Sequence, residues 1–401
     1  MNREVDKFYE DKEERGLIID WNKVFNEYRK LKVPTDYFNP CTAPVGKAKY
    51  YVYMSERASG KTTNWLLIGM ILNKMYGTTI QYIRSTKDEI KPSIADELYN
   101  VIISYNKGQY IREITNGKCN SIYTHWKKSY FCHIDEDGKM DYVDETPFLQ
   151  FLSVDQHTLY KSTYNAPRGD LIIYDEFITD FYRENEFVNF CDLLSTIIRK
   201  RITPICIMLA NTIDYNSMYF NELEISKEIK KMKVGEHRLI TTERGTNVYT
   251  EIIGLKKTTI KERINKLFFG FKNPKLAAIT GGEQAWAFDN VPHIQNDETD
   301  IIVDKRLRVE YGDVILQLEL VYTENRGYIV NVHETTRIYK DSIILTNEEI
   351  WDKQHIYGLG LNRKYLKFIW DLYKQNKFYF DCNATGSILK SFVKTALQNR
   401  R

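Results

Sequence analysis

Short apolar runs alternate with longer amphipathic stretches through the first 225 residues, which predicts strands alternating with helices. Four runs have the β-branched and aromatic composition of buried strands: 48–54, 78–85, 170–177 and 204–212. Three longer stretches have helical spacing: 60–76, 91–105 and 186–201. This alternation predicts an α/β fold with a mostly parallel sheet, and places functional side chains at the carboxyl ends of its strands.

Two further regions belong to the same predicted domain. Residues 1–45 read as a polar helical lead-in, with Val24, Phe25 and Tyr28 beside Trp21 on one helical face. Residues 110–160 contain short alternating runs around the turn sequence "DEDGK", which predicts hairpins inserted into the α/β core.

The rest of the chain has a different pattern. Residues 226–289 predict a basic linker or lid of one or two helices with strands between them. From about residue 290, three alternating runs predict an antiparallel meander, followed by helices at 361–376 and 384–398. The expected domains are 1–225, 226–289 and 290–401.

Composition narrows the class of protein without naming a function. The chain has 401 residues, of which 43% are hydrophobic and 28% charged, as in ordinary soluble domains. The longest apolar run is too short for a bilayer, and no signal peptide is visible, so we expect a cytoplasmic protein. The six cysteines form no C-x-x-C pair, which favours reduced thiols. The cluster of Cys119, His125, Cys132 and His133 fits no zinc-site spacing.

Charge is uneven along the chain. Residues 226–275 contain 13 Lys and Arg against 5 Asp and Glu, although the whole chain has a net charge of only +3. A basic segment of this kind favours a polyanionic partner, and a solvated surface is the alternative. The candidate DNA-binding residues in this segment are Lys230, Lys231, Lys256 and Lys257.

The sequence "SERASGKT" between a predicted strand and a predicted helix has the context of a phosphate-binding loop. In such a loop Lys61 reaches the β and γ phosphates of ATP, and the Thr62 hydroxyl binds Mg²⁺. Ser55 replaces the usual first glycine, which reduces backbone freedom without removing a ligand. The nucleotide-binding candidates are Ser55, Arg57, Ala58, Ser59, Gly60, Lys61, Thr62 and Thr63.

Two carboxylates follow the apolar strand "LIIY". Asp175 is the candidate that holds Mg²⁺ through water, and Glu176 the candidate that polarises the water attacking the γ phosphate. Both could instead cap the strand. Asn211, at the end of the next apolar run, either senses the γ phosphate or is an ordinary turn residue.

Arg199 and Arg201 end a predicted helix, where cations favour the helix dipole. In a ring of ATPases, an arginine at this position can instead reach a neighbour's site and stabilise transition-state charge. The sequence does not choose between the two arginines.

Several of these motifs resemble those of phage DNA-packaging ATPases, whose loops have the form G-G-R-G-S-G-K-[ST]. The match covers Arg57 and Ser59 to Thr62, and it departs at Ser55, Glu56 and Ala58. Similarity extends over about 48–220 and includes a strand ending in Arg84, the "LYKS" around Lys161, "LIIYDEF" and "RKRITPICIMLANT". The chain is most similar to the encapsidation proteins of small Picovirinae-type tailed phages.

The resemblance implies a P-loop ATPase of the ASCE class, which carries an additional strand and a catalytic glutamate. It implies a pentameric ring on the phage portal that drives double-stranded DNA into a preformed capsid in the host cytoplasm. A packaging RNA is a further candidate partner, and no membrane partner is expected. The alternatives are a complete terminase with an active nuclease and a nucleotide-switched assembly NTPase that does not move DNA.

The C-terminal meander resembles the RNase H-like nuclease domain of terminases. Two-metal nuclease chemistry needs several carboxylates that converge on two metal ions. The available carboxylates do not cluster at strand ends in the sequence, so we expect a domain without nuclease activity: Asp304, Asp313, Glu319 and Asp381.

Overall fold

A computed structural model describes residues 17–55, 59–164, 169–178, 185–199, 201–211, 217–254, 291–294, 302–312, 314–337, 343–348, 350 and 352–398. These residues fall into two compact units. The first includes the described residues up to 211 and those of 218–254, and the second includes Ser217 and the described residues from 291 onward.

The first unit contains a mixed sheet of ten strands. Its strands are β1 (Tyr50–Met54), β2 (Ile80–Arg84), β3 (Ser121–His125), β4 (Lys128–Ile134), β5 (Met140–Val143), β6 (Leu149–Ser153), β7 (Leu171–Asp175), β8 (Ile205–Ala210), β9 (His237–Thr241) and β10 (Asn247–Ile252). The order is β3-β4-β6-β2-β7-β8-β1-β10-β9, and β5 pairs with β4. From β6 to β10 every neighbouring pair is parallel, as the sequence predicted.

The central strands are apolar without alternation because helices cover both faces of a parallel sheet. Every residue of β7 and β8 is buried. The helices of this unit are α1 (Trp21–Lys30), α2 (Lys61–Tyr76), α3 (Pro92–Ser104), α4 (Gln109–Ile114), α5 (His157–Thr163), α6 (Glu186–Ile198), α7 (Met218–Glu222) and α8 (Ser226–Ile229).

Helix α2 lies at the centre of this core. Its residues from Asn64 to Asn73 are all buried, so it has no solvent-facing stripe. Gly77 closes it in the left-handed conformation and returns its N–H to the Asn73 carbonyl. The lead-in helix α1 packs Val24, Phe25 and Tyr28 into the same core, as predicted.

The predicted inserted hairpins are present as β3, β4 and β5, which extend the sheet beyond β6. The segment after residue 225 differs from its description as a basic linker or lid. Strand β10 pairs in parallel with β1 along its length, and β9 pairs with β10. The first sheet therefore continues past the boundary expected at 225, because "NVYTEI" supplies a half-buried strand that covers the edge of β1.

The second unit contains a six-stranded sheet in the order β15-β14-β11-β12-β13-β16. Its elements are β11 (Ile302–Tyr311), β12 (Val314–Thr323), β13 (Gly327–Glu334), β14 (Ile343–Thr346), β15 (His355–Tyr357), α9 (Lys364–Lys374), β16 (Phe378–Phe380) and α10 (Asn383–Gln398). The predicted meander is β11 to β13, and the two predicted helices are α9 and α10. Apolar side chains of one sheet face form a core with these helices.

Among the described residues, no helix combines the length and the apolar content that crossing a bilayer requires.

Candidate nucleotide site

The polar residues that end β1, β2, β7 and β8 lie together, because parallel neighbouring strands end at one edge of their sheet. We call this the carboxyl edge. Ser55 follows β1, Arg84 ends β2, Asp175 ends β7 and Asn211 follows β8. Strand β8 lies between β1 and β7, so one strand separates the phosphate loop from the two carboxylates.

The phosphate loop leads directly into α2. Gly60 stands before the helix with φ +83°, a conformation that glycine adopts without strain. Lys61 is 4% exposed, and its Nζ donates to the hydroxyls of Ser55 and Ser59 and, at 3.1 Å, to Oδ1 of Asn211. Thr63 follows in the first helical turn. Ser55, at the position of the missing glycine, thus contributes an oxygen that contacts the lysine.

Thr62 and Asp175 meet across the gap that β8 creates. The Thr62 hydroxyl donates to Oδ2 of Asp175 at 3.1 Å, and the Tyr82 hydroxyl donates to the same oxygen at 2.6 Å. Burial raises the pKa of the Asp175 carboxyl, and the nearby Arg84 partly opposes this rise. Burial also raises the pKa of Tyr82 well above its usual range, and the Asp175 charge adds to that effect.

Glu176 is held by two partners. Arg84 Nη2 donates to its Oε2 at 2.6 Å, and Asn211 Nδ2 donates to its Oε1 at 2.9 Å. Its side chain is 43% exposed, and its backbone has φ +52°, a left-handed conformation that costs about 1 kcal/mol or more for a residue other than glycine. Strain of this kind at the end of a buried strand is typical of functional sites.

Arg84 is a site residue that the sequence reasoning recorded only as the end of a strand. Its guanidinium contacts Glu89 at 2.9 Å and Glu176 at 2.6 Å, and it lies 3.8 Å from Asp175. Burial lowers the pKa of Arg84, but Tyr82, Glu176 and the other acidic neighbours outweigh it and raise the pKa. The one signal in the sequence was the position of Arg84 at the end of a predicted strand, since parallel strands of one sheet end at the same edge.

Tyr82 was also missed, because a tyrosine inside an apolar strand reads as core. A contact between the segment before β1 and the phosphate loop was also missed, because the sequence does not show which loops pack together. The backbone of Phe38 donates to the Ser59 carbonyl at 2.9 Å, and Asn64 Nδ2 donates to the Phe38 carbonyl at 2.5 Å. The segment before β1 therefore packs directly on the phosphate loop.

Arg199 and Arg201 lie at the other edge of the sheet, where β7 and β8 begin. Arg201 pairs with Asp170 at 3.4 Å and donates to the carbonyl oxygens of Ile197, at 2.7 Å, and Ile198. Arg199 is exposed, and its Nη2 donates to the Tyr164 carbonyl at 3.3 Å. The structure does not bring either arginine to this chain's own phosphate loop.

The remaining candidates fall into two groups. Arg57 and Ala58 of the loop, and Lys256 and Lys257 of the basic segment, lie outside the described residues. Lys230 caps α8, and Lys231 pairs with Glu228 at 3.1 Å.

In the second unit, the described carboxylates occupy separate positions. Glu319 pairs with Arg306 at 2.8 Å, and Oδ2 of Asp381 lies 3.4 Å from the Glu334 N–H. Asp304 is exposed, and Asp313 lies outside the described residues. Within the described ranges, no three His, Cys, Asp or Glu side chains converge as a metal site would require.

Comparison by sequence gives no relative: no protein-family model matches the chain, and no curated protein matches it. Comparison by structure gives several matches. A chain of the bacteriophage Phi-29 viral genome packaging motor assembly matches with 15% identity and a TM-score of 0.55, over 90% of this chain and 100% of that chain.

Two further solved structures match with TM-scores below 0.5. The Phi-28 gp11 DNA packaging motor is 18% identical, covers 90% of this chain and 98% of that chain, and has a TM-score of 0.49. The N-terminal domain of the DNA packaging ATPase from bacteriophage phi29 is 18% identical, covers 55% of this chain and 98% of that chain, and has a TM-score of 0.42. The first match shows that this chain shares the fold of the phi29 motor chain.

Asp175→Asn should stabilise the protein measured without nucleotide. Because burial raises the pKa of this carboxyl above its unfolded value, its ionised form destabilises the fold above the ordinary carboxyl range. We expect a higher thermal midpoint for the variant at neutral pH, and the difference should shrink as the pH falls from the raised pKa of the folded carboxyl to its ordinary value.

Asp137→Asn, at an exposed turn residue, is the matched control and should change the midpoint little at any pH. A midpoint difference for Asp175→Asn that stays constant with pH would show that the carboxyl is not destabilised by burial.

Proposed function

We propose that the chain is an ATPase that drives double-stranded DNA into a viral procapsid, acting as a ring on the portal in the host cytoplasm. The observation that supports this most strongly is the set of contacts at the carboxyl edge. Lys61, Asn211 and Glu176 form a continuous hydrogen-bonded series, and Thr62 contacts Asp175 beside it. The phi29 motor chain, whose fold this chain shares, belongs to a viral genome packaging motor assembly.

The triphosphate binds at the start of α2. The first N–H groups of this helix lack partners inside the helix, and with the Lys61 ammonium they supply positive charge where the phosphates lie. The hydrogen bonds described for Lys61 go to oxygens of Ser55, Ser59 and Asn211. An ammonium at this position can also contact the β and γ phosphates.

The residues present fit a magnesium ion. Thr62 and Asp175 offer a hydroxyl and a carboxylate whose oxygens lie 3.1 Å apart, and these are ligand types that Mg²⁺ prefers, directly or through water. When bound with ATP, the ion supplies charge stabilisation for the transferring phosphoryl group.

Glu176 acts as the base. It orients a water molecule toward the γ phosphorus and accepts its proton as the new P–O bond forms and the bond to the β-phosphate oxygen breaks. Arg84 and Asn211 each donate to one carboxylate oxygen of Glu176, and each oxygen can still accept a second hydrogen bond from the water. Arg84 therefore sets the position from which the base acts.

Arg199 is the arginine we assign to a neighbour's site. Arg201 is fixed by Asp170, whose side chain is 1% exposed, and by the end of α6, so its guanidinium is committed within its own subunit. Arg199 is exposed and held by a single carbonyl in the contacts described. Its position at the edge opposite the phosphate loop suits a head-to-tail ring.

Because packaging accepts any sequence, we expect contacts mainly to DNA phosphates, with Lys230, Lys231, Lys256 and Lys257 as candidates in the basic segment. The second unit then serves DNA binding or docking on the portal or a packaging RNA rather than cleavage. This assignment is supported by Glu319, which Arg306 and Gln317 already engage.

Glu176→Gln should bind ATP normally and turn it over about 10² to 10⁴ times more slowly, because the amide cannot accept the proton. A fluorescent ATP analogue measures binding, and phosphate release measures turnover. Glu136→Gln, at an exposed turn residue, is the control. Normal turnover by Glu176→Gln would mean that another group is the base.

Duplex DNA should stimulate ATP turnover by the full chain, since translocation couples hydrolysis to DNA. Turnover that duplex DNA and portal leave unchanged would favour the assembly NTPase. In the same reactions with Mg²⁺ or Mn²⁺, we expect intact DNA on a gel, whereas cleavage would favour the complete terminase with an active nuclease.

Arg199→Ala should lower turnover by about 10³-fold without weakening ATP binding, the effect of losing an arginine that acts in the transition state. Mixing Arg199→Ala with Glu176→Gln should restore part of the turnover, because each protein supplies what its neighbour lacks. Arg244→Ala, at an exposed turn arginine, is the control. Normal turnover by Arg199→Ala would exclude this assignment, and so would a mixture that stays inactive.

A further inference from the structure

Trp126 stands at the turn of the β3–β4 hairpin with most of its side chain exposed. His125 pairs with Lys128 across the hairpin, so the turn consists of Trp126 and Lys127. Trp126 has φ +57° and is 80% exposed. We call residues 125–128 the hairpin tip.

Both features of Trp126 are unfavourable in isolation. Two-residue hairpin turns require positive φ at their first central residue, and Gly, Asn and Asp adopt it most readily. A large aromatic residue there is strained, and this one gains little burial in return. Unfavourable backbone geometry together with an exposed indole points to selection for contact with another molecule.

The surroundings of the indole are aromatic. The Tyr123 and His125 rings stack with centroids 6.0 Å apart and an interplanar angle of 16°. The His125 and Trp126 rings lie 6.3 Å apart at 71°. The tip thus presents a row of rings to solvent, since Tyr123 is itself 36% exposed.

Strand β4 has basic residues at the end that carries Trp126 and acidic residues at its other end. Residues 121–130 contain Lys127 and Lys128 and no Asp or Glu. Among the described residues neither lysine pairs with a carboxylate, and Lys127 Nζ instead donates to Gln156 at 2.6 Å and to the Tyr160 hydroxyl at 3.1 Å. The β4–β5 turn at the far end holds Asp135, Glu136 and Asp137. Only the tip suits an anionic partner.

The tip lies at the carboxyl edge of the sheet. Strand β4 runs antiparallel to β6 with Lys128 opposite Gln150, and the Phe151 N–H donates to the Lys127 carbonyl at 2.8 Å. Since β6 runs parallel to β2, with Ser153 beside Arg84, the tip projects at the edge that carries the nucleotide site. Only β6 separates β4, the second strand of this hairpin, from β2.

We propose that the hairpin tip grips the backbone of duplex DNA. Trp126 packs its ring against sugars at the groove wall, and Lys128 neutralises a phosphate. Neither contact reads a base, which suits a protein that must accept any sequence. This inference rests on the proposed function and adds a DNA contact outside the basic segment that the sequence indicated.

The substitution Trp126→Asn separates a binding role from a folding role, because asparagine suits the positive φ. The variant should melt no lower than the wild type, yet bind a fluorescein-labelled duplex at least about fivefold more weakly, as expected for loss of an anchoring aromatic residue. Its ATP turnover without DNA should be unchanged, and its stimulation by DNA should fall. Leu239→Asn, at a residue of β9 that is 48% exposed, is the control.

Lysine variants test the charge. Lys128→Gln should reduce the slope of log affinity against log salt concentration by about 0.9, the loss of one phosphate contact. Lys139→Gln, in the acidic turn at the other end of the same hairpin, should leave the slope unchanged. An unaltered slope in Lys128→Gln would remove the lysine from the proposed contact.

The outcomes distinguish this inference from the function it rests on. If duplex DNA stimulates the wild type and Trp126→Asn binds and responds equally well, the hairpin inference fails and the motor proposal stands. If Trp126→Asn changes the sedimentation of nucleotide-bound assemblies but not DNA affinity, the tip contacts another copy of the chain, and the inference also fails. If DNA leaves the wild-type turnover unchanged, the proposed function itself fails.

Discussion

The nucleotide site depends on the spacing that strand β8 imposes between β1 and β7. Because β8 separates β1 from β7, the ends of β1 and β7 lie roughly 10 Å apart, which is two interstrand spacings. That gap is wide enough for phosphates and a metal ion between a cation and a carboxylate. Asn211, at the end of β8, bridges it by contacting both Lys61 and Glu176. Without the intervening strand, the lysine and the carboxylates would neutralise one another directly.

The sequence predicted the parts of this arrangement that follow from local pattern. Continuous apolar runs identified β7 and β8, and the glycine-lysine-threonine triplet identified the start of α2. Strand order is not local, so the sequence could not show which strand lies next to which. For that reason Arg84 was not assigned to the site, although it contacts Glu176. Tyr82 contacts Asp175, but a tyrosine inside an apolar strand reads as a core residue.

The basic segment shows a second limit of sequence reasoning. Its lysines and arginines dominate the composition of 226–275, which favoured a linker or lid. The segment "NVYTEI" instead forms a strand against β1, with Val248, Tyr249 and Thr250 all buried. Tertiary pairing decided the structure there, because a free edge at β1 would expose unpaired backbone groups next to the phosphate loop.

The location of Arg199 has a kinetic consequence. If Arg199 acts at a neighbour's site as we propose, an isolated subunit lacks one of its catalytic groups. Specific activity would then rise with protein concentration and level off once assembly is complete. Under that proposal, dilute protein would hydrolyse ATP very slowly until its subunits assemble.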